Sequence, residues 1–173
     1  MFYFAMGVAA PYFPVVLEVR GLTPSQIGLT FTISNIAAGL SSYYIGRLSD
    51  RVGRLKILLS STVLTAIMYL LLALISNPYV TVAIFTLLMV GMGSSNTVVT
   101  AYSIDALERA GISRGSGFGS IRIGGSIGWI PGTFLGGALV SLFGLRSIFL
   151  FAPLVIGLSV LTMRGLGEDG RFR

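Results

Sequence analysis

The chain has 173 residues, 54% of them hydrophobic and only 10% charged, against about 25% charged in an average soluble domain. A mean hydropathy of +0.88 is more apolar side chain than a water-soluble core absorbs, which argues against a soluble enzyme or binding module. A net charge of +6 would suggest nucleic acid in a soluble protein but here follows from topology, and the absence of Cys and His removes disulfides and the usual thiolate or imidazole metal sites.

Uncharged runs cover 21–46, 78–104 and 123–145, and 55–75 carries only Lys56. Each reaches the roughly 18 to 20 residues that cross a bilayer. The pattern predicts one bundle over 1–173, with helices at about 2–18, 25–46, 55–76, 79–104, 117–141 and 146–164. In the first helix Tyr3, Gly7, Pro11, Pro14 and Glu18 align, and the prolines remove backbone hydrogen bonds, so a kink is expected. It lacks a basic leader region and reads as a retained helix rather than a signal. Thr23-Pro24-Ser25-Gln26 starts the second helix. There Gly28, Asn35, Gly39, Ser42 and Gly46 share the face expected to meet protein or water, leaving Leu29, Phe31, Ile33 and Leu40 for lipid or other helices. Asn77-Pro78 separates the third helix from the fourth, and Gly144 ends the fifth. The 23 glycines are read mainly as sites of close helix approach.

Basic residues bias short loops toward the cytoplasm. Arg47, Arg51, Arg54 and Lys56 follow the second helix, Arg109 and Arg114 the fourth, and Arg164, Arg171 and Arg173 the sixth, with only Arg20 and Arg146 on the other side. Both termini are therefore expected in the cytoplasm of a prokaryotic-type plasma membrane.

The connection Gly46-Arg47-Leu48-Ser49-Asp50-Arg51-Val52-Gly53-Arg54-Leu55-Lys56 resembles the signature loop between helices two and three of major facilitator superfamily transporters. Gly46 and Gly53 permit a tight connection, and the basic residues Arg51 and Arg54 hold it at an anionic membrane surface around Asp50. The resemblance implies an all-α membrane fold: one six-helix half of a transporter, built of two inverted three-helix repeats. It also implies that Asp50 latches the cytoplasmic side against a helix start in another half. Because the two halves of this superfamily are parallel repeats, a second copy of this chain can supply that start, near 117–120 of the fifth helix. The alternatives are a complementary half, or that the chain is a fragment of a twelve-helix permease.

Charges within spans are costly and seek partners or cavities. Asp105 and Arg122 lie at similar depth and are the expected charge pair, with Asp105 also a possible proton site. Ser126, Trp129 and Thr133 continue the Arg122 face at helical spacing. Arg122 and Trp129 stand roughly 10.5 Å apart along the axis, a span suited to a small polar solute held by a guanidinium fork and an aromatic platform. The stretch from Phe118 to Trp129 resembles the fifth helix of the oligosaccharide and nucleoside proton symporter branch, whose matching Arg and Trp line the sugar site. Asn35 and Asn96, with Thr97 and Thr100, are further cavity candidates. Pro131-Gly132 with Gly136-Gly137 resembles in part the fifth-helix motif of family exporters, with the Gly-Pro order reversed.

The expected function is secondary active transport of a small polar solute (sugar, nucleoside or organic acid) by alternating access. Its partners are the substrate, the lipid bilayer, a second bundle and a coupling proton carried by Asp105 or Glu18. No cofactor, metal or nucleic acid is expected. No nucleophile–base pair or phosphate-binding loop suggests an enzyme or an ATP-driven pump. The alternative is a non-transporting half that serves as a membrane interaction subunit.

Overall fold

A computed structural model describes residues 1–109 and 111–168, with side chains described except at 109, 114, 116 and 162–168. Arg109, Arg114, Arg164, Arg171 and Arg173, which carry part of the orientation argument, lie outside the described side chains. The described residues are almost wholly helical: α1 (Phe2–Ala9), a 3-10 turn (Ala10–Tyr12), α2 (Phe13–Val19), α3 (Pro24–Val52), α4 (Arg54–Leu74), α5 (Pro78–Arg109), α6 (Arg114–Phe143) and α7 (Arg146–Glu168).

Local chemistry sets the breaks. Pro11 opens the 3-10 turn and Pro14 the first turn of α2, so the first span is two short helices joined where proline removes backbone donors. Thr23 and Gln26 form a reciprocal capping box, the Thr23 hydroxyl accepting from Gln26 N–H at 3.4 Å and Gln26 Oε1 from Thr23 N–H at 2.9 Å. Asn77 Oδ1 accepts from the Tyr79 and Val80 amides at 3.0 and 3.2 Å, starting α5.

The loop expected between 46 and 55 is a single residue. α3 runs on to Val52 and α4 starts at Arg54, the chain turning at Gly53 with φ +108°. Gly46 lies inside α3, because nothing between it and Val52 breaks a helix, and Ser49 Oγ folds back onto the Gly46 carbonyl at 2.7 Å. α5 and α6 likewise extend beyond their expected ends, to Arg109 and from Arg114.

Four elements, Phe2–Val19, Arg54–Leu74, Pro78–Glu108 and Gly117–Phe143, are long and apolar enough to cross a membrane, and α7 carries a shorter apolar stretch, Arg146–Leu161. α3 is more polar. Its hydroxyls and amide fold back on the helix: Thr30 to the Gln26 carbonyl (2.7 Å), Thr32 to Gly28 (2.9 Å) and Asn35 to Phe31 (2.8 Å), which meets their hydrogen-bonding needs within the helix.

The main packings are α1 on α6, α3 on α5, α4 on α5, α4 on α7 and α1 on α7. Exchanging each span with the one three places later maps this pattern onto itself: the first and fifth spans pack as the fourth and second do, the third and fourth as the sixth and first. Three is odd, so spans exchanged in this way run in opposite directions, as inverted three-helix repeats require.

α1 and α6 approach through glycine. A Cβ on Gly132 or Gly136 would run into the backbone of Phe4 or Val8, and one on Gly7 into that of Trp129. The buried centre is aromatic: Phe13 meets Phe85 edge-on at 5.2 Å and stacks on Phe149 at 6.4 Å, with Tyr69 alongside. On α3 the buried positions are Thr30, Ser34 and Ser49, Ser34 sharing a 3.0 Å hydrogen bond with Thr86 of α5. On the face expected to meet protein or water, Asn35 lines a cavity and Ser42 approaches Gly93 of α5, while Gly28 and Gly39 meet nothing within 4 Å.

Candidate functional site

A cavity of about 420 Å³ opens among α1, α3, α5 and α6. Five of the seven residues nominated for the cavity line it: Asn35 from α3, Asn96 from α5, and Arg122, Ser126 and Trp129 from α6. Thr97 and Thr100 of α5 do not, their hydroxyls donating to the Gly93 and Asn96 carbonyls of their own helix at 3.0 and 2.8 Å. The five come together because α1 wedges against the α6 glycines while α3 and α5 pack through small residues, an added Cβ on Gly93 lying 3.2 Å from the Ala38 side chain. Trp129 is half-buried, and Asn35, Asn96, Arg122 and Ser126 are exposed to the cavity mouth.

Sequence reasoning missed the apolar share of this wall. Met6, Met89 and Met92 line it, and Tyr3 bridges to α5 by donating to Asn96 Oδ1 at 2.8 Å. Met92 also accepts from the buried Tyr69 hydroxyl at 3.8 Å. The alignment of Tyr3 with Gly7 on one helix face was the available signal for Tyr3. The methionines had none, since Met in an apolar helix reads as core until its neighbours are known.

Among the described residues, Arg122 is the only charged one in this lining. Asn35 and Ser126 bond mainly to their own helix, Ser126 Oγ to the Arg122 carbonyl at 3.3 Å, while the Arg122 guanidinium has no hydrogen bond or ion pair among the described residues. A planar fork of five donors therefore faces a cavity with methionine, tyrosine and tryptophan walls. No carboxylate lines the cavity among the described residues.

The expected Asp105–Arg122 pair is not formed. Asp105 Oδ2 instead meets Arg54 Nη1 at 2.5 Å, and the same nitrogen donates to the Ala101 carbonyl at 2.6 Å. The one-residue turn at Gly53 explains the exchange: it sets Arg54, at the start of α4, against the end of α5 and within reach of Asp105. Arg54 Nη2 also holds Asp50 at 3.2 Å, so one guanidinium joins α3, α4 and α5. The Asp50 side chain stays 62% exposed, and Arg51 is exposed as well. Arg47 lies over the Tyr43 ring, 5.7 Å from its centroid. Glu18 is exposed near the end of α2 and outside the cavity lining.

A family model described as Major Facilitator Superfamily matches residues 1–170. The multidrug resistance efflux pump PmrA of Streptococcus pneumoniae is 29% identical over 95% of this chain, which spans 42% of that protein. The multidrug resistance protein MdtG of Citrobacter koseri is 30% identical over 88% of the chain and 38% of its own length. MdtG of Serratia proteamaculans is 28% identical, with 95% and 41% covered. The chain thus spans about two fifths of the length of these relatives. No solved structure matches it significantly.

Proposed function

Because this chain belongs to the Major Facilitator Superfamily, we propose that it forms one wall of an alternating-access transporter that exports amphipathic solutes, preferring those with a neutral or acidic polar end. The observation that carries the reading is the Arg122 guanidinium, which among the described residues is unpaired and is the one charge in a cavity whose other large side chains are Met, Tyr, Trp and Asn. Thioether and aromatic walls adapt to varied apolar bodies, while an Arg fork binds carboxylate or phosphate and repels cations. The small-polar-solute expectation shifts accordingly toward amphipathic cargo. Export draws support from the relatives named as efflux pumps and from the Pro131-bearing α6, whose Gly132 and Gly136 lie against α1. With no carboxylate on this wall among the described residues, the reading does not route a coupling proton through Asp105 or Glu18.

Trp129 is the sole tryptophan, so its fluorescence reports binding without requiring a complete transport cycle. Acidic amphiphiles should quench it, and Arg122→Ala should weaken their binding roughly 10- to 100-fold, as loss of a charged hydrogen-bond pair of about 1.5–3 kcal/mol implies. Cationic analogues of the same body should bind the variant no worse. Equal affinity of wild type and variant for acidic amphiphiles would sink the assignment.

The second element of the reading is a second bundle facing this one, either another copy or a complementary half. It is favoured by two exposed apolar faces: Ile36, Leu40 and Tyr43 on α3, and Ile127, Ile130 and Phe134 on α6. In this arrangement the exposed Asp50 engages the start of α6 in the opposing bundle, where the helix dipole favours an acid, and both termini lie in the cytoplasm.

A further inference from the structure

At the end of the bundle away from Gly53, two arginines from different helices share one small cavity. It has a volume of about 180 Å³, with Val19, Leu145 and Phe149 as apolar walls and Arg20, Ser76 and Arg146 as polar groups. Arg20 follows α2 and is held firmly: Nη1 donates to Thr81 Oγ1 at 2.9 Å and Nη2 to the Leu72 carbonyl, one of the carbonyls that the end of α4 leaves without a helical partner. Arg146 opens α7, is exposed, and reaches only Ser76 Oγ, at 3.4 Å. Each guanidinium keeps N–H donors beyond these bonds.

Neither arginine forms an ion pair among the described residues. Of the described carboxylates, Asp50, Asp105 and Glu108 stand at the opposite end of the bundle, and Glu18 pairs with neither arginine. Burial, and then the field of Arg146, hold the Arg20 pKa below its ordinary value. Two cations converging on one cavity with no ion-paired carboxylate among the described residues is a costly arrangement that a bound anion relieves.

We propose that this pocket binds a phosphate group, gripped between Arg20 and Arg146 as a guanidinium fork grips phosphate oxygens, with the apolar walls receiving a hydrocarbon chain when the phosphate belongs to a lipid. Two sources share this chemistry: the headgroup of an anionic phospholipid in the leaflet at this end, and a free phosphate ion. The apolar walls make the lipid the better fit.

The test is thermal unfolding of the purified full chain in a neutral sugar detergent without phosphate buffer. Three additions are compared: dioleoyl phosphatidylglycerol, dioleoylglycerol with the same chains and no phosphate, and inorganic phosphate. Phosphatidylglycerol well above its Kd should raise Tm by about 5 °C or more, dioleoylglycerol should not, and Arg146→Gln should abolish the shift. That variant removes an exposed side chain with one long hydrogen bond, so the fold should survive. Native mass spectrometry of wild type and Arg20→Lys counts bound lipid without reliance on Tm, and the lysine, a point charge without the fork, should retain less. A shift with phosphatidylglycerol alone identifies the lipid, and a matching shift with inorganic phosphate identifies the free ion. Equal stabilisation by dioleoylglycerol, no shift with either phosphate source, or a shift unchanged in Arg146→Gln overturns the proposal.

Discussion

Arg54 joins three helices through Asp50, Asp105 and the Ala101 carbonyl, and its two acidic partners differ in exposure. Asp105 is 34% exposed and Asp50 62%. Solvent screening weakens the second pair far more than the first. Asp105→Asn should therefore cost about 1–2 kcal/mol in a denaturant titration of the detergent-solubilised chain, and Asp50→Asn less than about 1 kcal/mol. Equal losses would mean that the corner is not held through α5. If Asp50 latches a second bundle, its substitution should slow transport more than it lowers stability. At this scale the sequence named Asp105, Arg122 and Arg54 but mispaired them. Similar depth in neighbouring helices does not fix which cation an acid pairs with, and a one-residue turn decided it.

Glycine plays three different parts in the helices, and each has its own consequence. Gly132 and Gly136 sit where the α1 backbone passes, so Gly136→Ala should destabilise by about 1–3 kcal/mol through overpacking. Gly28 meets nothing within 4 Å, and Gly28→Ala should be neutral or stabilising by up to about 1 kcal/mol, because alanine restricts the unfolded backbone. Gly53 holds φ +108° and ψ 128°, a region nearly closed to other residues, so Gly53→Ala should cost on the order of 1–3 kcal/mol. Unfolding midpoints of the three variants check the ranking Gly28→Ala above the other two. The spacing of Gly128, Gly132 and Gly136 announces a close approach from sequence alone. That its partner is α1 was not legible, because small residues state how near a neighbour comes and not which neighbour it is.

On the scale of the whole molecule, the absence of cysteine makes single-cysteine probes unambiguous. Ser25 near the start of α3 and Lys56 near the start of α4 are both exposed and lie at opposite ends of the bundle. In intact cells a membrane-impermeant maleimide should label Ser25→Cys and spare Lys56→Cys until the membrane is opened. The reverse pattern would invert the proposed orientation. With a two-fold axis along the membrane normal, α3 of one bundle meets α6 of the other. Leu40→Cys and Phe134→Cys on separately tagged copies should then cross-link in membranes, whereas linkage no better than for a pair on α7 would leave a complementary half as the facing bundle.

The sequence by itself determined that the chain is a membrane bundle of six helices, where most of those helices start and stop, and five of the polar and aromatic residues that the structure gathers around one cavity. Those properties depend on local signals: charge-free length, proline and glycine breaks, capping residues and side chains too polar for lipid. Only the tertiary structure decided that Arg54 takes Asp105 and leaves Arg122 facing the cavity, that methionines and Tyr3 complete its wall, and that Arg20 and Arg146 converge from separate helices at the other end. Each depends on the rotation and register of one helix against another, which close backbone contact at glycine sets and no stretch of sequence specifies alone.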